Sequence, residues 1–306
     1  RGGGVNRDSA KGCADVARLV QTRVGDRRHG VATVNEPWCV AYLGHYLGIH
    51  APGCRDVRAA ARAMHNVLLA HGTAVSAWRA EGAGSLGIVL NLHKCESAEN
   101  SNEAGQATEL LDGVFNRWYL DALFKGAYPA DVLARIEAHL PENFQRDLPA
   151  ISVGLDWFGI NYYSRTLATA DPSNSIFPFK FVEGPLEKTE MGWEIYPEGL
   201  TELLVRVARD YTRVPLYVTE NGMAEVDIGD DHRRVAYFDA HLKAVLAARD
   251  QGADVRGYFA WSLMDNFEWA EGYKKRFGLV GVDYSTLERT PRSSFRAFQG
   301  LLNNTR

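Results

Sequence analysis

Short apolar runs rich in β-branched residues alternate along this chain with longer amphipathic segments, and that alternation limits its fold more than any other feature. Val31–Asn35, Leu86–Leu92, Leu155–Tyr162, Leu216–Thr219 and Val255–Trp261 read as strands. Asn6–Val24, Asp56–Ala80, Glu103–Leu123, Asp131–His139, Glu198–Tyr211, Asp230–Arg249 and Ser293–Leu302 read as helices. Strands alternating with helices imply a parallel α/β sheet, doubly wound or closed as a barrel. The segments after the strands are long (Cys39–Cys54, Arg165–Pro197, Ser262–Lys275), whereas those after the helices are short. That asymmetry favours a (β/α)8 TIM barrel, whose working face is built from the loops that follow its strands. A closed barrel of this kind takes eight strands, and five are legible here. Residues 1–306 are therefore expected to form one partial barrel domain.

Composition excludes several partners. Lys+Arg 34 against Asp+Glu 38 gives a net charge of −4 without a basic stripe, which disfavours nucleic acid and anionic membrane surfaces. No apolar stretch approaches the roughly 20 residues that span a bilayer. Cys13, Cys39, Cys54 and Cys95 show no C-x-x-C spacing and point to a reduced, cytoplasmic setting.

Two motifs with mundane readings resolve as mundane. Gly82-Ala83-Gly84-Ser85-Leu86-Gly87 matches G-x-G-x-x-G, but a helix precedes it and a strand follows, the reverse of a dinucleotide site. It reads as a helix end and a turn. The pairs His45/His50 and His65/His71 lack the i, i+4 spacing of a helical zinc site, and no G-x-S-x-G follows a strand.

The chemistry-bearing stretches sit at strand tips. Pro215–Gly222 ends its apolar run in Glu220-Asn221-Gly222, and Val31–Asn35 runs into Asn35-Glu36-Pro37-Trp38. Singly, the first is a tight turn and the second a helix cap. Together they supply the acid and the carboxylate nucleophile that cleave a glycosidic bond through a covalent intermediate. Trp261–Trp269 adds Asp265 and Glu268 among large rings, acceptors and platforms suited to a sugar's hydroxyl rim and apolar faces.

The sequence resembles glycoside hydrolase family one, the retaining β-glucosidases and β-galactosidases. The likeness rests on Thr33–Trp38, Gly159–Ser164, Met191–Glu194, Tyr217–Gly222, Trp261–Trp269 and Tyr273–Gly278, in the family's order over nearly the whole chain. The resemblance implies a TIM barrel of which about strands 4–8 are represented. It implies Glu36 as acid/base, Glu220 as nucleophile, Asn35 on the sugar 2-hydroxyl and Tyr163 bonded to the nucleophile. Glu268 and Trp269 would grip the outer hydroxyls, Trp261 would stack on the glycone, and Trp193 and Asn91 would line the leaving-group side. Asn161 and Phe277, in the same matching stretches, join the substrate-binding set.

A glutamate rather than glutamine at position 36 favours O-glycosides, and Glu268 would repel a phosphorylated sugar. No metal or organic cofactor is required. The substrate expected is a β-glycoside or oligosaccharide. The family's first three strand–helix units have no counterpart here, so a homo-oligomer or a further N-terminal segment is expected at the open edges. The rival readings are a carbohydrate-binding pseudoenzyme and an inactive fragment. The retaining mechanism needs the two carboxyl groups about 5–5.5 Å apart on one face of the molecule.

Overall fold

A computed structural model describes residues 3–27, 29–226 and 231–304. Its strands are β1 (Gly30–Asn35), β2 (Ser85–Asn91), β3 (Lys94–Ser97), β4 (Trp157–Asn161), β5 (Arg165–Ala170), β6 (Phe179–Val182), β7 (Leu216–Asn221), β8 (Val255–Ala260), β9 (Val280–Val282) and β10 (Arg289–Pro291). Its α-helices are α1 (Ser9–Val24), α2 (Val57–Glu81), α3 (Asn102–Asp112), α4 (Trp118–Lys125), α5 (Ala130–Ile136), α6 (Leu148–Ile151), α7 (Pro197–Asp210), α8 (His232–Asp250) and α9 (Ser293–Asn304).

The five strands expected from the sequence form one parallel sheet, in the order β1-β2-β4-β7-β8. Parallel neighbours require a crossover, and helices supply each one. The central strands are covered on both faces, which is why they read as unbroken apolar runs. Ile88, Leu90, Phe158, Ile160, Leu216 and Val218 are all buried in the main core. The outer strands β1 and β8 are largely exposed or half-buried, though Val255 at the start of β8 is buried, and Phe259 on β8 is exposed. Asp56 caps α2 by accepting from the Ala59 N–H at 2.6 Å, and fifteen residues of that helix are buried.

Three local expectations need correction. The stretch after β1 is not an open loop, because Cys39–Tyr46 is π-helical. Trp38, Tyr42 and Tyr46, four residues apart, stack along it with ring centroids 5.3 and 5.0 Å apart. The long segment after β4 contains β5 and β6, which join β3 in a second, three-stranded sheet of order β3-β5-β6. These strands are only four to six residues long, and β3 finds its partner β5 far along the chain, so no clear local period marks them. The helix expected from Asp230 begins at His232, and Asp230 lies outside the described residues.

Gly72 lets α2 press against α6. A Cβ there would meet the Ala150 carbonyl oxygen at 1.8 Å, and backbone cannot swing aside as a side-chain tip can. Gly72→Ala should therefore destabilise the protein by about 1–3 kcal/mol or more, although alanine is the better helix former. Urea unfolding checks this, and a stabilised variant would contradict the packing.

Candidate active site

In a parallel sheet every strand ends at the same edge, and here four of the five tips carry polar residues. β1 ends in Asn35, β2 in Asn91, β4 in Asn161, and β7 in Glu220-Asn221. Asn91 pairs with Asn161 across β2 and β4, and Asn161 with Glu220 across β4 and β7. Glu36 follows β1 in a left-handed conformation, φ 50°, unusual for a residue with a side chain. Its N–H donates to the Val89 carbonyl at 3.0 Å, and its own carbonyl accepts from the Cys39 N–H at 3.0 Å. The neighbouring strand and the first turn of the next helix thereby hold the strained tip.

One buried amide links both carboxylates. Asn161 Nδ2 donates to Glu36 Oε1 at 2.7 Å and to Asn35 Oδ1 at 3.0 Å. Thr219 Oγ1 donates to Asn161 Oδ1 at 2.6 Å, which fixes the amide with its nitrogen toward the carboxylate. Asn35 Nδ2 in turn donates to Glu220 Oε1 at 3.2 Å, and Tyr163 Oη donates to Glu220 Oε2 at 2.7 Å. Asn221, fully buried, donates to the Tyr162 carbonyl and to Tyr237 Oη, anchoring the tip beside Glu220. Glu36 and Glu220 therefore occupy one face.

Burial pushes both carboxyls up, Glu220 to about 7. Glu36's charge raises Glu220 further, while hydrogen bonds from Tyr163, Asn35 and Asn161 oppose the rise. For Glu36 the opposing donors are Asn161 and the Cys39 thiol. Two coupled carboxylates share a proton over such a range. A phenol and an amide hold Glu220's oxygens, whereas one oxygen of Glu36 meets only a thiol, a weak donor. The shared proton is therefore best placed on Glu36.

Aromatic and polar residues gather around this pair. Tyr163, Trp193 and Phe277 form a cluster, with centroids 5.3 Å apart for Tyr163–Trp193 and 6.2 Å for Tyr163–Phe277. Trp261 and Asn266 both donate to Glu268, which burial pushes up. Asn91 Nδ2 lies 3.3 Å from His93 Nε2, and its buried Oδ1 has no partner among the described residues. Trp269 stands apart, 68% exposed with its ring over His50 at 6.1 Å.

Two acids in the matching stretches serve the scaffold instead. Asp265 is buried, paired with Arg292 at 2.8 Å and accepting from the Gly278 and Val282 N–H groups. It is not free to meet a sugar. Glu194 binds Arg165 at 2.6 Å and the Leu186 N–H at 2.6 Å. Sequence reasoning also passed over Thr219 and Cys39, which orient the carboxylate network. Cys39 stands three residues after Glu36, one helical turn, and that spacing was the available signal.

Among the described residues no cluster of His, Cys, Asp or Glu has the arrangement of a metal site. No helix among them is long and apolar enough to cross a membrane. A hollow of about 560 Å³ between β3 and α7 lies apart from the carboxylates. Among its lining charges Lys94 pairs with Glu202 and Arg206 with Asp112.

The family model described as Glycosyl hydrolase family 1 matches residues 1–306. Beta-glucosidase A of Thermotoga maritima is 41% identical over 313 residues, 99% of this chain and 70% of that protein. A Beta-glucosidase of Agrobacterium sp. is 40% identical, over 98% of this chain and 67% of its own length. The structure of the Thermotoga maritima beta-glucosidase in complex with deoxynojirimycin superposes with a TM-score of 0.96 at 41% identity, covering 99% of this chain and 70% of that one.

The raised pair has a thermodynamic consequence. Between the ordinary value of 4.5 and about 7, to which Glu220 is pushed, the folded pair keeps a shared proton that the unfolded chain releases. Stability therefore falls as pH rises through that window and levels off above it. Glu220→Gln removes the neighbouring charge that holds this proton, so its Tm should gain on the unsubstituted chain between pH 5 and pH 8. A Tm difference that stays constant with pH would show that the two carboxyls do not share a raised proton.

Proposed function

The chain belongs to glycosyl hydrolase family 1, and we propose that Glu220 is its nucleophile and Glu36 its acid/base in the hydrolysis of β-O-glycosides such as β-glucosides. It is a retaining β-glycosidase of the β-glucosidase type, working through a covalent glycosyl-enzyme intermediate. The observation that carries the assignment is the shared donor network, in which Asn161 and Asn35 tie both carboxylates to one point.

In the first step a Glu220 oxygen forms a bond to the anomeric carbon. The bond from that carbon to the leaving oxygen breaks, its electron pair goes to the oxygen, and Glu36 delivers a proton there. Glycosylation removes the charge of Glu220, which lowers the affinity of Glu36 for a proton and suits its second role. Glu36 then takes a proton from water as the water oxygen bonds to the anomeric carbon and the bond to Glu220 breaks. Tyr163 and Asn35 hold Glu220 oriented, and Asn35 is exposed at the mouth where a sugar 2-hydroxyl would arrive.

Trp261 and Glu268 supply a stacking face and a hydroxyl acceptor for the glycone, with Trp269 at its rim. Trp193 and Asn91 border the leaving group, the buried Phe277 backs Tyr163 and Trp193 from behind, and the unpartnered Asn91 Oδ1 can accept from a hydroxyl. A half-buried carboxylate at position 268 favours an unphosphorylated sugar. Asn161, locked by Thr219, orients Glu36 rather than meeting substrate first.

We place β1, β2, β4, β7 and β8 as strands four to eight of the barrel, in a single partial domain. β1 and β8 are the outer strands of the described sheet, and Phe259 and Leu263 beside β8 are exposed. Three further strand–helix units, or a second copy of the chain, would close the barrel there. Four free thiols fit the reducing cytoplasm.

Glu36→Ala should lower kcat about 10²–10⁴-fold on glycosides with poor leaving groups. Added azide then separates the two roles. Product analysis should find β-glycosyl azide from Glu36→Ala and α-glycosyl azide from Glu220→Ala, and the reverse pairing would overturn the assignment.

A further inference from the structure

We infer that the Cys39 thiol is a positioning residue that tracks the proton of Glu36, reversing or releasing one hydrogen bond as Glu36 passes from acid to base. The inference rests on Glu36 being the acid/base.

Cys39 Sγ donates to Glu36 Oε2 at 3.0 Å. The other oxygen, Oε1, accepts from Asn161 Nδ2, and Thr219 fixes that amide. An amide nitrogen can only donate, so Oε1 remains an acceptor whether or not Glu36 is protonated. The catalytic proton must then reside on Oε2, the oxygen that faces the thiol.

A thiol is suited to that place because it is both a weak donor and a weak acceptor. When Glu36 is ionised, the S–H supports the charge on Oε2. When Oε2 carries the proton, sulfur competes poorly for it, so the O–H stays free to turn toward the leaving oxygen. A hydroxyl in the same position would be a stronger donor to the carboxylate and would favour the ionised form.

The surroundings keep Cys39 protonated. Burial comes first, and the charges of Glu36, Glu220 and Glu268 add to it, all pushing the thiol well up. Tyr119 of α4, raised by burial, lies close enough to feel a thiolate at Cys39, and Tyr163 feels Glu36 and Glu220 at the end of β4. Each of these neighbours is an acid that is either neutral or negative, so none stabilises a thiolate.

The test compares Cys39→Ser with Cys39→Ala. The basic limb of kcat/KM, measured on an alkyl β-glucoside, should move down by about half a unit to one unit in Cys39→Ser and up by a similar amount in Cys39→Ala. General loosening of the site would shift both variants in the same direction. An aryl glucoside with an acidic leaving phenol should show smaller losses, since its departure needs less protonation.

A readout independent of turnover is the S–H stretching band. In infrared difference spectra, the component missing from Cys39→Ala should change frequency with pH, and Glu36→Gln should abolish that response. Equal or absent limb shifts, or a Cys39 band indifferent to pH, would overturn the inference. A chain that turns over no glycoside would count against the glycosidase reading instead, with the infrared response still deciding the role of Cys39.

Discussion

Two carboxylates brought to one end of a sheet repel each other and lose hydration, and the buried amide of Asn161 is what lets this fold hold them there. It donates to Glu36 and to Asn35, and Asn35 passes a donor on to Glu220. Asn161 can do this because β4 lies at the centre of the parallel sheet, in register with β2 on one side and β7 on the other. The hydroxyl of Thr219, next to Glu220 on β7, fixes which way the amide faces. Tertiary register, rather than any local turn, thus sets the geometry of the pair.

Much of this was legible in the sequence, for a physical reason. Strands buried on both faces must be apolar, so Leu86–Leu92 and Leu216–Thr219 announce themselves, and the polar tips that follow them stand out. The family-like stretches then single out Glu36, Glu220 and Tyr163, and the structure joins all three in one network. What stayed hidden depends on distant pairing. β3, β5 and β6 are short, and β3 reaches its partner β5 only across a long stretch of chain, so they pass for loop. Asp265 looks like a sugar ligand beside Glu268, yet Arg292, which arrives from the start of α9, claims it. One residue earns its role from its own surroundings and the other from a segment that local pattern cannot place.

The scaffold around the tips is stiff where the chemistry needs it. Asn221 is tied to the Tyr162 carbonyl and to Tyr237, so the residue after Glu220 has no freedom to drift. At Gly222 a Cβ would meet the Trp261 carbonyl at 1.8 Å, which shows how closely the ends of β7 and β8 approach. Asp265 binds two arginines and two backbone N–H groups, and so secures the loop that presents Trp261 and Glu268. These buried charges are paired and hydrogen-bonded, the condition under which a charge can be buried at all. By contrast, the sheet's outer strands are less buried than its central ones, and the fixed geometry lies at its centre.

Two glutamates with the same intrinsic chemistry can serve opposite roles only if their surroundings differ, and here the difference lies in the donors. Glu220 meets a phenolic O–H and an amide, partners that favour charge and therefore nucleophilicity. Glu36 meets an amide on one oxygen and a thiol on the other, a pairing that leaves one oxygen weakly supported. Burial raises both groups alike, so it cannot distinguish them. The distinction must come from the contacts, and the softest of these, sulfur against Oε2, is the one that permits a proton to come and go.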